Sequence, residues 1–272
     1  TNFWAAKKGR EALKVTWDDS AAETRSTEAL VADYKKLLAK PGLEARKEGA
    51  GAAGLKGAGQ VITADFEFPY LVHAPMEPLN CTIQLDGDKA ELWMGTQMPG
   101  LDAMAAAKTL GLPPQNTQVH TQMAGGGFGR RAIPSSDYVV EACGVAKAVR
   151  TAGISAPVRT LWSREDDIKG GYYRPMHVHR AEIGFDAKGR ILAWDHTIVG
   201  QSIIKGSPFE AFMVKNGIDA TAIEGMKEPY DVPMKLSVHH PEVNVPVLWW
   251  RSVGSTHTAY VMETLIDEVA RA

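Results

Sequence analysis

The most distinctive run of this sequence is Ala124-Gly125-Gly126-Gly127-Phe128-Gly129-Arg130-Arg131. Its glycines remove the β-carbons from the backbone, which can then adopt positive φ and let a ligand approach its N–H groups closely. Phe128 would stand at the tip of the loop. Such amides suit a phosphate or another oxygen-rich anion, although a glycine-rich turn without a ligand is an open alternative. The run is neither a P-loop nor a spaced Gly-x-Gly-x-x-Gly motif.

Composition limits the classes of protein to consider. The chain has 272 residues, of which 44% are hydrophobic and 23% charged, as in ordinary globular proteins that form one large domain or two small ones. A net charge of −2 without a long basic run argues against nucleic acid as a partner. No stretch approaches the ~18 apolar residues of a membrane span. Cys81 and Cys143 can form one disulfide or remain two buried thiols, and they make no zinc site.

The N-terminal part predicts an organisation into two regions. The chain opens inside a helical pattern over 3–13, without an initiator Met or a signal peptide, so we expect a segment of a longer protein. A short strand is predicted at 14–17 and a helix after Ser26. The Gly/Ala-rich stretch 43–60 is interpreted as a linker. Residues 1–60 would then be the end of a preceding α/β domain plus this linker, with a second region over 61–272.

From Val61 onward, strand and helix patterns are mixed. The hydrophobic pattern and turn residues predict strands at 61–73, 117–123 and 158–163, hairpins at 81–94 and 176–202, and helices at 101–110, from Ser135 or Ser136 to about 150, from a capping box at Ser207, and from Ser255 or Thr256. The fold class is therefore α+β, with mixed sheets and packed helices.

Several further motifs accompany the glycine run in a fixed order. They are Met76-Glu77-Pro78-Leu79-Asn80, Trp93-Met94-Gly95-Thr96-Gln97-Met98-Pro99, Ser163-Arg164-Glu165-Asp166-Asp167-Ile168, Tyr173-Arg174-Pro175-Met176, Ile198-Val199-Gly200-Gln201-Ser202 and Trp249-Trp250-Arg251-Ser252-Val253-Gly254. This combination resembles the large subunit of the molybdenum hydroxylases, the xanthine dehydrogenase and aldehyde oxidoreductase family. It is most similar to the branch of isoquinoline 1-oxidoreductase β-subunits and membrane-bound aldehyde dehydrogenases.

The resemblance implies a cofactor and partners. The ligand would be molybdopterin with molybdenum, in the cytosine dinucleotide form, and the protein would make no direct bond to the metal. Residues 61–272 would be the first half of the molybdopterin-binding region, completed by the remainder of the large subunit. A ferredoxin-like small subunit would carry [2Fe–2S] clusters. The enzyme would be periplasmic or associated with the inner membrane.

The resemblance also assigns site residues. The cofactor would be held by Gly125, Gly126, Gly127, Phe128, Gly129, Arg130 and Gln97. The Gln97 amide would hydrogen-bond an oxo ligand of the metal, and the Phe128 ring would pack against substrate. Gln97 and Phe128 are thus interpreted as catalytic residues, the alternative for Gln97 being a surface residue at a strand end.

Arg251 is the third expected catalytic residue, beside the substrate in a pocket lined by Trp249 and Trp250. A guanidinium near aromatic rings is suited to hold an oxygen anion. The alternative is a structural arginine in an ion pair. Purine-oxidising members carry a glutamate shortly after the glycine loop, and this chain has Arg130-Arg131-Ala132 there. The resemblance therefore implies hydroxylation of an uncharged N-heteroaromatic, or oxidation of an aldehyde, with water as oxygen source.

Three other groups have less certain roles. His177 and His179 would share one face of a strand, where an ordinary surface role is favoured over a metal site because no third ligand is near. The run 165–167 is interpreted as a solvated turn, and Glu77 as fixing the loop beneath the cofactor. A non-catalytic fragment that serves in subunit or domain packing is the alternative function, and whether the chain alone is an enzyme is left open.

Overall fold

The computed structural model describes residues 2–226 and 230–272. The helices are α1 (Phe3–Glu11), α2 (Thr27–Leu38), α3 (Ala52–Leu55), α4 (Pro99–Leu110), α5 (Asp137–Thr151), α6 (Arg164–Lys169), α7 (Glu210–Met213) and α8 (Ser255–Arg271). The strands are β1 (Leu43–Lys47), β2 (Gln60–Phe68), β3 (Leu71–Val72), β4 (Asn80–Asp86), β5 (Lys89–Met94), β6 (Thr117–Thr121), β7 (Val158–Leu161), β8 (Tyr173–Arg174), β9 (His177–Phe185), β10 (Ile191–Gly200), β11 (Val214–Lys215), β12 (Ile218–Asp219) and β13 (Met234–His239).

A five-stranded sheet forms one half of the fold, in the order β1-β13-β10-β9-β2. Only β10 and β13 run parallel; the other neighbours are antiparallel. Alternation along β9 and β10 sends side chains to two faces. On one face Ile183 and Trp194 pack with Leu265 of α8, and on the other Val178 packs with Tyr34 of α2. The sheet is therefore covered by a helix on each side.

A four-stranded sheet, in the order β6-β5-β4-β7, forms the other half. Its core contains Ile83, Leu92 and Met94 from the strands and Val139 and Cys143 from α5. Cys81 and Cys143 are both free and buried, as one of the two alternatives predicted. Burial raises the pKa of each thiol to about 12, so neither is a reactive thiolate at neutral pH.

The α+β class, both long hairpins and the α2, α4, α5 and α8 helices are confirmed. The strand predicted at 14–17 is wrong: no strand forms there, and the side chains of Val15 and Trp17 are exposed without a neighbouring strand. Helix α7 begins at Glu210, and Ser207 does not cap it. The strand predicted over 61–73 is divided between β2 and β3, because Pro69 cannot donate to the ladder.

The linker predicted over 43–60 is wrong in its local structure, because β1 pairs with β13 and α3 lies within the stretch. Its glycines serve close packing. A Cβ on Gly49 would lie 2.7 Å from Pro233 Cβ, and one on Gly54 would lie 2.8 Å from Ala193 Cβ. Small residues thus let this segment pack closely against the sheet. The domain boundary between residues 60 and 61 stays a prediction.

Two further expectations are corrected. The run 165–167, expected to be a solvated turn, lies in α6, whose N-terminus carries a capping box between Ser163 and Asp166. His177 and His179, expected at a strand surface, are 4% and 0% exposed because α8 covers that face of the sheet. No group of three or more metal-ligating side chains occurs among the described residues, and no helix there is long and apolar enough to cross a membrane.

Candidate cofactor-binding site

The loop between β6 and α5 has the positive φ values that the glycines predict. Gly126 has φ of 99° and Gly129 has φ of 104°. Phe128 also adopts a left-handed φ of 54°, which costs a residue with a side chain about 1–3 kcal/mol. Its ring is 37% exposed, so the loop presents an aromatic side chain to solvent at the expense of backbone strain.

The loop also presents unpaired backbone donors. The Gly125 N–H donates to Glu77 Oε2 at 2.7 Å. The next four amides, of residues 126–129, donate to no group in the described part of the chain. Consecutive free N–H groups in a left-handed turn form a concave site for an anion. The loop therefore has the donor set that an oxygen-rich anionic ligand needs.

An added Cβ would make a close contact at three positions of the loop, although the exposed Gln97 side chain could move away from the one at Gly127. A Cβ on Gly125 would lie 2.5 Å from Glu77 Cβ, and one on Gly127 would lie 2.8 Å from Gln97 Oε1. On Gly129 it would lie 2.7 Å from the carbonyl oxygen of Trp249. These contacts bring the Gln97 and Trp249 segments, which are far apart in sequence, directly against the loop.

Glu77 and Arg131 hold the base of the loop. The Glu77 N–H donates to Gly125 O at 3.1 Å, and its carboxylate also accepts from Asn80 Nδ2 and Arg131 Nη2. Burial alone would raise the pKa of Glu77, but the hydrogen bonds from Gly125 and Asn80 and the charge of Arg131 lower it. The role predicted for Glu77, fixing the loop, is the one that its contacts support.

Arg131 was not predicted as a site residue from the sequence. Its side chain is buried, with 1% of the residue exposed, and forms hydrogen bonds to three separate segments. Its Nε donates to Gly126 O at 2.8 Å, its Nη1 to Gly95 O at 3.1 Å and its Nη2 to Glu77 O at 3.1 Å. A planar guanidinium can satisfy three carbonyls in fixed directions, which a lysine cannot. The signal in the sequence was its position directly after the glycine run.

Arg130, by contrast, is corrected from an expected cofactor contact to a structural residue. Its guanidinium is 1% exposed, donates to both carboxylate oxygens of Asp137 and lies over the rings of Trp162 and Tyr172, at 5.5 and 5.2 Å from their centroids. The guanidinium between aromatic rings that we expected at Arg251 thus occurs at Arg130, inside the protein.

A cleft of about 450 Å³ brings most of the predicted site residues together. It is lined by Gln97, Gly127, Phe128, Gly129, Ala132, Trp249, Trp250, Arg251 and Val253. The rings of Phe128 and Trp250 stack with centroids 5.6 Å apart and planes 10° apart. The cleft therefore has an aromatic wall next to the free amides.

Two polar side chains of the cleft are free to bind. Gln97 is exposed, its backbone N–H donates to Arg131 O at 3.1 Å, and its side chain makes no hydrogen bond to any described residue. Arg251 is exposed and its backbone N–H donates to Phe128 O at 2.7 Å. Within residues 2–226 and 230–272 its guanidinium has no ion pair, so the structural ion pair considered as an alternative does not form.

Strained backbone surrounds the cleft. Ser252 and Val253, directly after Arg251, have φ of 70° and 46°, and Val253 is β-branched, which makes this conformation unusual. Gly254 is required next, because a Cβ there would lie 1.8 Å from Thr221 O. Strain that the surrounding structure must enforce is concentrated at functional sites.

Helix α6 explains a motif that the sequence left open. The carboxylate of its buried Asp167 pairs with Arg164 at 2.5 Å, and Arg164 donates to the carbonyls of Pro75 and Met76. A Cβ on Gly126 would lie 3.3 Å from Pro75 Cβ. The acidic run therefore helps to fix the segment on which the glycine loop rests.

The free amides, the unpaired side chains of Gln97 and Arg251, and the aromatic wall together form a site suited to an oxygen-rich anionic ligand. Residues 36–272 match the model of the molybdopterin cofactor-binding domain. The chain belongs to the molybdopterin cofactor-binding domain family. The expected family and fold class are thereby confirmed.

Curated relatives extend over nearly the whole chain. It is 29% identical over 282 residues to the isoquinoline 1-oxidoreductase subunit beta of Brevundimonas diminuta, and 27% identical over 280 residues to a membrane-bound aldehyde dehydrogenase of Gluconacetobacter polyoxogenes whose name includes pyrroloquinoline quinone. Both alignments cover 99% of this chain and 35% of the relative. The chain thus spans about a third of the length of these relatives.

Solved structures share the fold. Quinoline 2-oxidoreductase from Pseudomonas putida 86 superimposes with a TM-score of 0.69 over 95% of this chain and 32% of its own, at 21% identity. The aldehyde oxidoreductase of Desulfovibrio gigas gives a TM-score of 0.63 over 85% of this chain and 24% of its own, at 18% identity.

Proposed function

We propose that this chain forms the glycine-loop side of the active site of a molybdopterin-dependent oxidoreductase. The enzyme would hydroxylate an N-heteroaromatic compound or oxidise an aldehyde, with water as oxygen source. The observation that carries the proposal is the row of four free amides, 126–129. Residues 127–129 of this row line a cleft together with unpaired Gln97 and Arg251. A packing fragment without a ligand would have no need for these unpaired donors.

The residues of the cleft fit the cofactor and its substrate in three ways. The free amides and the Gln97 side chain are hydrogen-bond donors for its oxygen atoms. Arg251 supplies the charge in the cleft lining and would stabilise negative charge that develops on a substrate. The stacked rings of Phe128 and Trp250 form a flat apolar wall for an aromatic or aldehyde substrate. When bound, the molybdenum centre supplies a Lewis acid and a sink for two electrons.

Three finer statements belong to the same proposal. The pterin is in the cytosine dinucleotide form, the electrons leave through a ferredoxin-like subunit with [2Fe–2S] clusters, and the enzyme is periplasmic or associated with the inner membrane. They rest on the similarity of the glycine run and its companion motifs to the isoquinoline oxidoreductase branch.

The decisive experiment measures cofactor content in a polypeptide of the relatives' length that carries this chain. We expect stoichiometric molybdenum by elemental analysis, pterin fluorescence after oxidation, and release of cytidine monophosphate on acid treatment. Gly127→Val and Gly129→Val should remove molybdenum and leave a soluble protein, whereas Gly100→Val, in open space on α4, should retain it. Full molybdenum in both loop variants, or pyrroloquinoline quinone in place of pterin, would contradict the proposal.

Arg251→Met tests the substrate side separately. One lost donor at a developing charge lowers turnover by ~100-fold or more. Because Arg251 is exposed and has no ion pair in the described structure, molybdenum content and thermal stability should stay unchanged. A full rate in this variant would remove Arg251 from the active site.

A further inference from the structure

Four histidines are buried together behind the aromatic wall of the cleft. His177 and His179 lie on β9, His196 on β10 and His257 on α8, and none is more than 4% exposed. His177 and His257 stack with centroids 3.7 Å apart and planes 18° apart. Burial lowers the pKa of His177 and His196 to about 3, and those of His179 and His257 also fall well below the usual value, so all four are neutral at physiological pH.

Three of these rings form a hydrogen-bonded chain that begins at a tryptophan. Trp194 Nε1 lies 3.2 Å from His196 Nδ1, His196 Nε2 lies 3.0 Å from His179 Nδ1, and His179 Nε2 lies 2.9 Å from His257 Nδ1. An indole N–H can only donate, and a neutral imidazole carries one proton. The direction of the chain is therefore fixed: each histidine accepts at Nδ1 and donates from Nε2, and His257 ends the chain with an N–H at Nε2.

His177 has the opposite polarity. Its Nδ1 lies 3.2 Å from the carbonyl oxygen of Pro175, which can only accept, so Nδ1 carries the proton and Nε2 carries a lone pair. Gly200, paired with His177 across the two strands, makes room for the ring, because a Cβ there would lie 2.2 Å from His177 Cδ2. Tautomers of both stacked rings thus follow from their partners.

His177, His257 and Trp250 line one small cavity of about 10 Å³, next to Trp249 and Val253 of the cleft. That volume is about the smallest that holds a single water molecule. The indole N–H of Trp250 is buried without a hydrogen-bond partner. Nε2 of His257 and Nε2 of His177 likewise have no partner in the described parts of the chain. These three groups supply two donors and one acceptor to a wall that also includes the side chains of Arg174 and Gln201.

This combination selects the occupant. A cation would be repelled by the two N–H groups and by the guanidinium of Arg174, which also lines the cavity, and a polyatomic anion is too large for a volume of about 10 Å³. A water molecule accepts two hydrogen bonds and donates another, which matches all three groups. A buried N–H left without any partner would cost about the full desolvation penalty of the group.

We propose that this cavity binds one ordered water that accepts from His257 and Trp250 and donates to His177. Through that water the chain from Trp194 holds the indole of Trp250, which stacks on Phe128 at the edge of the cleft. Trp194, His196 and His179 are thus positioning residues for the aromatic wall. The inference concerns the cofactor-free chain and does not depend on the proposed activity.

The test is heteronuclear NMR of the isotope-labelled chain. We expect His179, His196 and His257 to carry their protons on Nε2 and His177 to carry its proton on Nδ1. The Trp250 indole proton, assigned by its loss in Trp250→Phe, should show a magnetisation-transfer peak to a long-lived water. A proton on Nδ1 of His257, or a Trp250 indole proton that exchanges with bulk water as fast as that of the exposed Trp17, would overturn the proposal.

Trp194→Phe tests the direction of the chain, because it removes the donor and keeps a ring. Nothing then fixes the direction of the chain, so His257 should populate the Nδ1-protonated tautomer as well. Trp93→Phe is the matched control, since Trp93 stacks on His120 outside the cavity, and it should leave the His257 tautomer unchanged. Unchanged tautomers in a folded Trp194→Phe would refute the chain, and if that variant does not fold, the wild-type tautomers and water contact still decide.

Discussion

The buried histidine cluster makes the folded state sensitive to mild acid. In the unfolded chain an ordinary histidine binds a proton below pH 6.5, whereas the folded pKa of His177 and His196 is about 3 and those of His179 and His257 lie well below 6.5. The unfolded state therefore binds more protons as the pH falls. The part of the free energy of unfolding that depends on neutral histidines is fully present above pH 6.5. It is lost as the pH falls from 6.5 toward 3, because the unfolded chain is protonated first.

The magnitude follows from the width of that window. Between pH 7.5 and 5.0 His177 and His196 each lower the free energy of unfolding by about 2 kcal/mol, and His179 and His257 add to the loss in the same direction. Burial raises the pKa of Asp102 and Asp167, which work in the opposite direction, but two carboxyl groups cannot offset four imidazoles in this range. The two values alone give a loss of about 4 kcal/mol, which is a large part of the ~5–15 kcal/mol by which a folded domain is stable.

Urea denaturation followed by tryptophan fluorescence, at steps between pH 7.5 and 5.0, measures this loss. In His196→Gln the change between the two pH values should shrink by about 2 kcal/mol, one histidine's share, whatever the variant's stability at pH 7.5. His120→Gln, at the partly exposed ring on Trp93, is the control and should leave the change as in the wild type. A total loss below about 2 kcal/mol would show that the cluster is charged or accessible in the folded state, and would refute the reasoning.

Three substitutions test the packing around the loop. Gly129→Ala should lower the free energy of unfolding by at least about 2 kcal/mol in urea denaturation, because it combines a positive φ with a Cβ against the Trp249 carbonyl. Arg131→Lys should cost about 3 kcal/mol by thermal denaturation, because buried carbonyls lose their donors. Gly200→Ala should cost about 1–3 kcal/mol and displace the His177 ring, seen as shifted imidazole signals in NMR spectra.

Each of these has a matched control. Gly100→Ala adds a Cβ in open space at the start of α4 and should leave stability unchanged or raise it slightly. Arg190→Lys changes an arginine whose side chain is 77% exposed and should cost almost nothing. If the paired variants behave alike, the contacts assigned to the loop do not carry its stability.

The glycine loop could be predicted because its physics is local. A run of residues without β-carbons has few uses other than positive φ and close approach, and the loop shows both. The convergence of Gln97, Phe128 and Arg251 could not be obtained from spacing, since these residues are far apart in the chain. Before the structure, only the similarity to a family assigned these three residues to one site.

The linker and the surface histidines were wrong predictions for the same physical reason, which is that a local pattern does not say what covers it. Small residues at 49–54 fit a flexible linker and a close-packed segment equally well, and only the sheet beside them decides. Alternation placed His177 and His179 on one face of a strand but gave no sign that α8 lies there. The cap Ser163-x-x-Asp166 could have been predicted from the sequence, because a side chain that accepts from the N3 amide is a local feature.

The cleft lies where the two halves of the molecule meet, and this explains why its backbone is strained. The glycine loop is held by residues next to β4 and β5, in the four-stranded half, through Glu77 and Arg131. The turn after Trp249 leads into α8, which covers the five-stranded sheet. The two are joined by the hydrogen bond from the Arg251 N–H to Phe128 O. A ligand that binds loop and turn together would stabilise both halves, since binding to the folded state alone adds to stability.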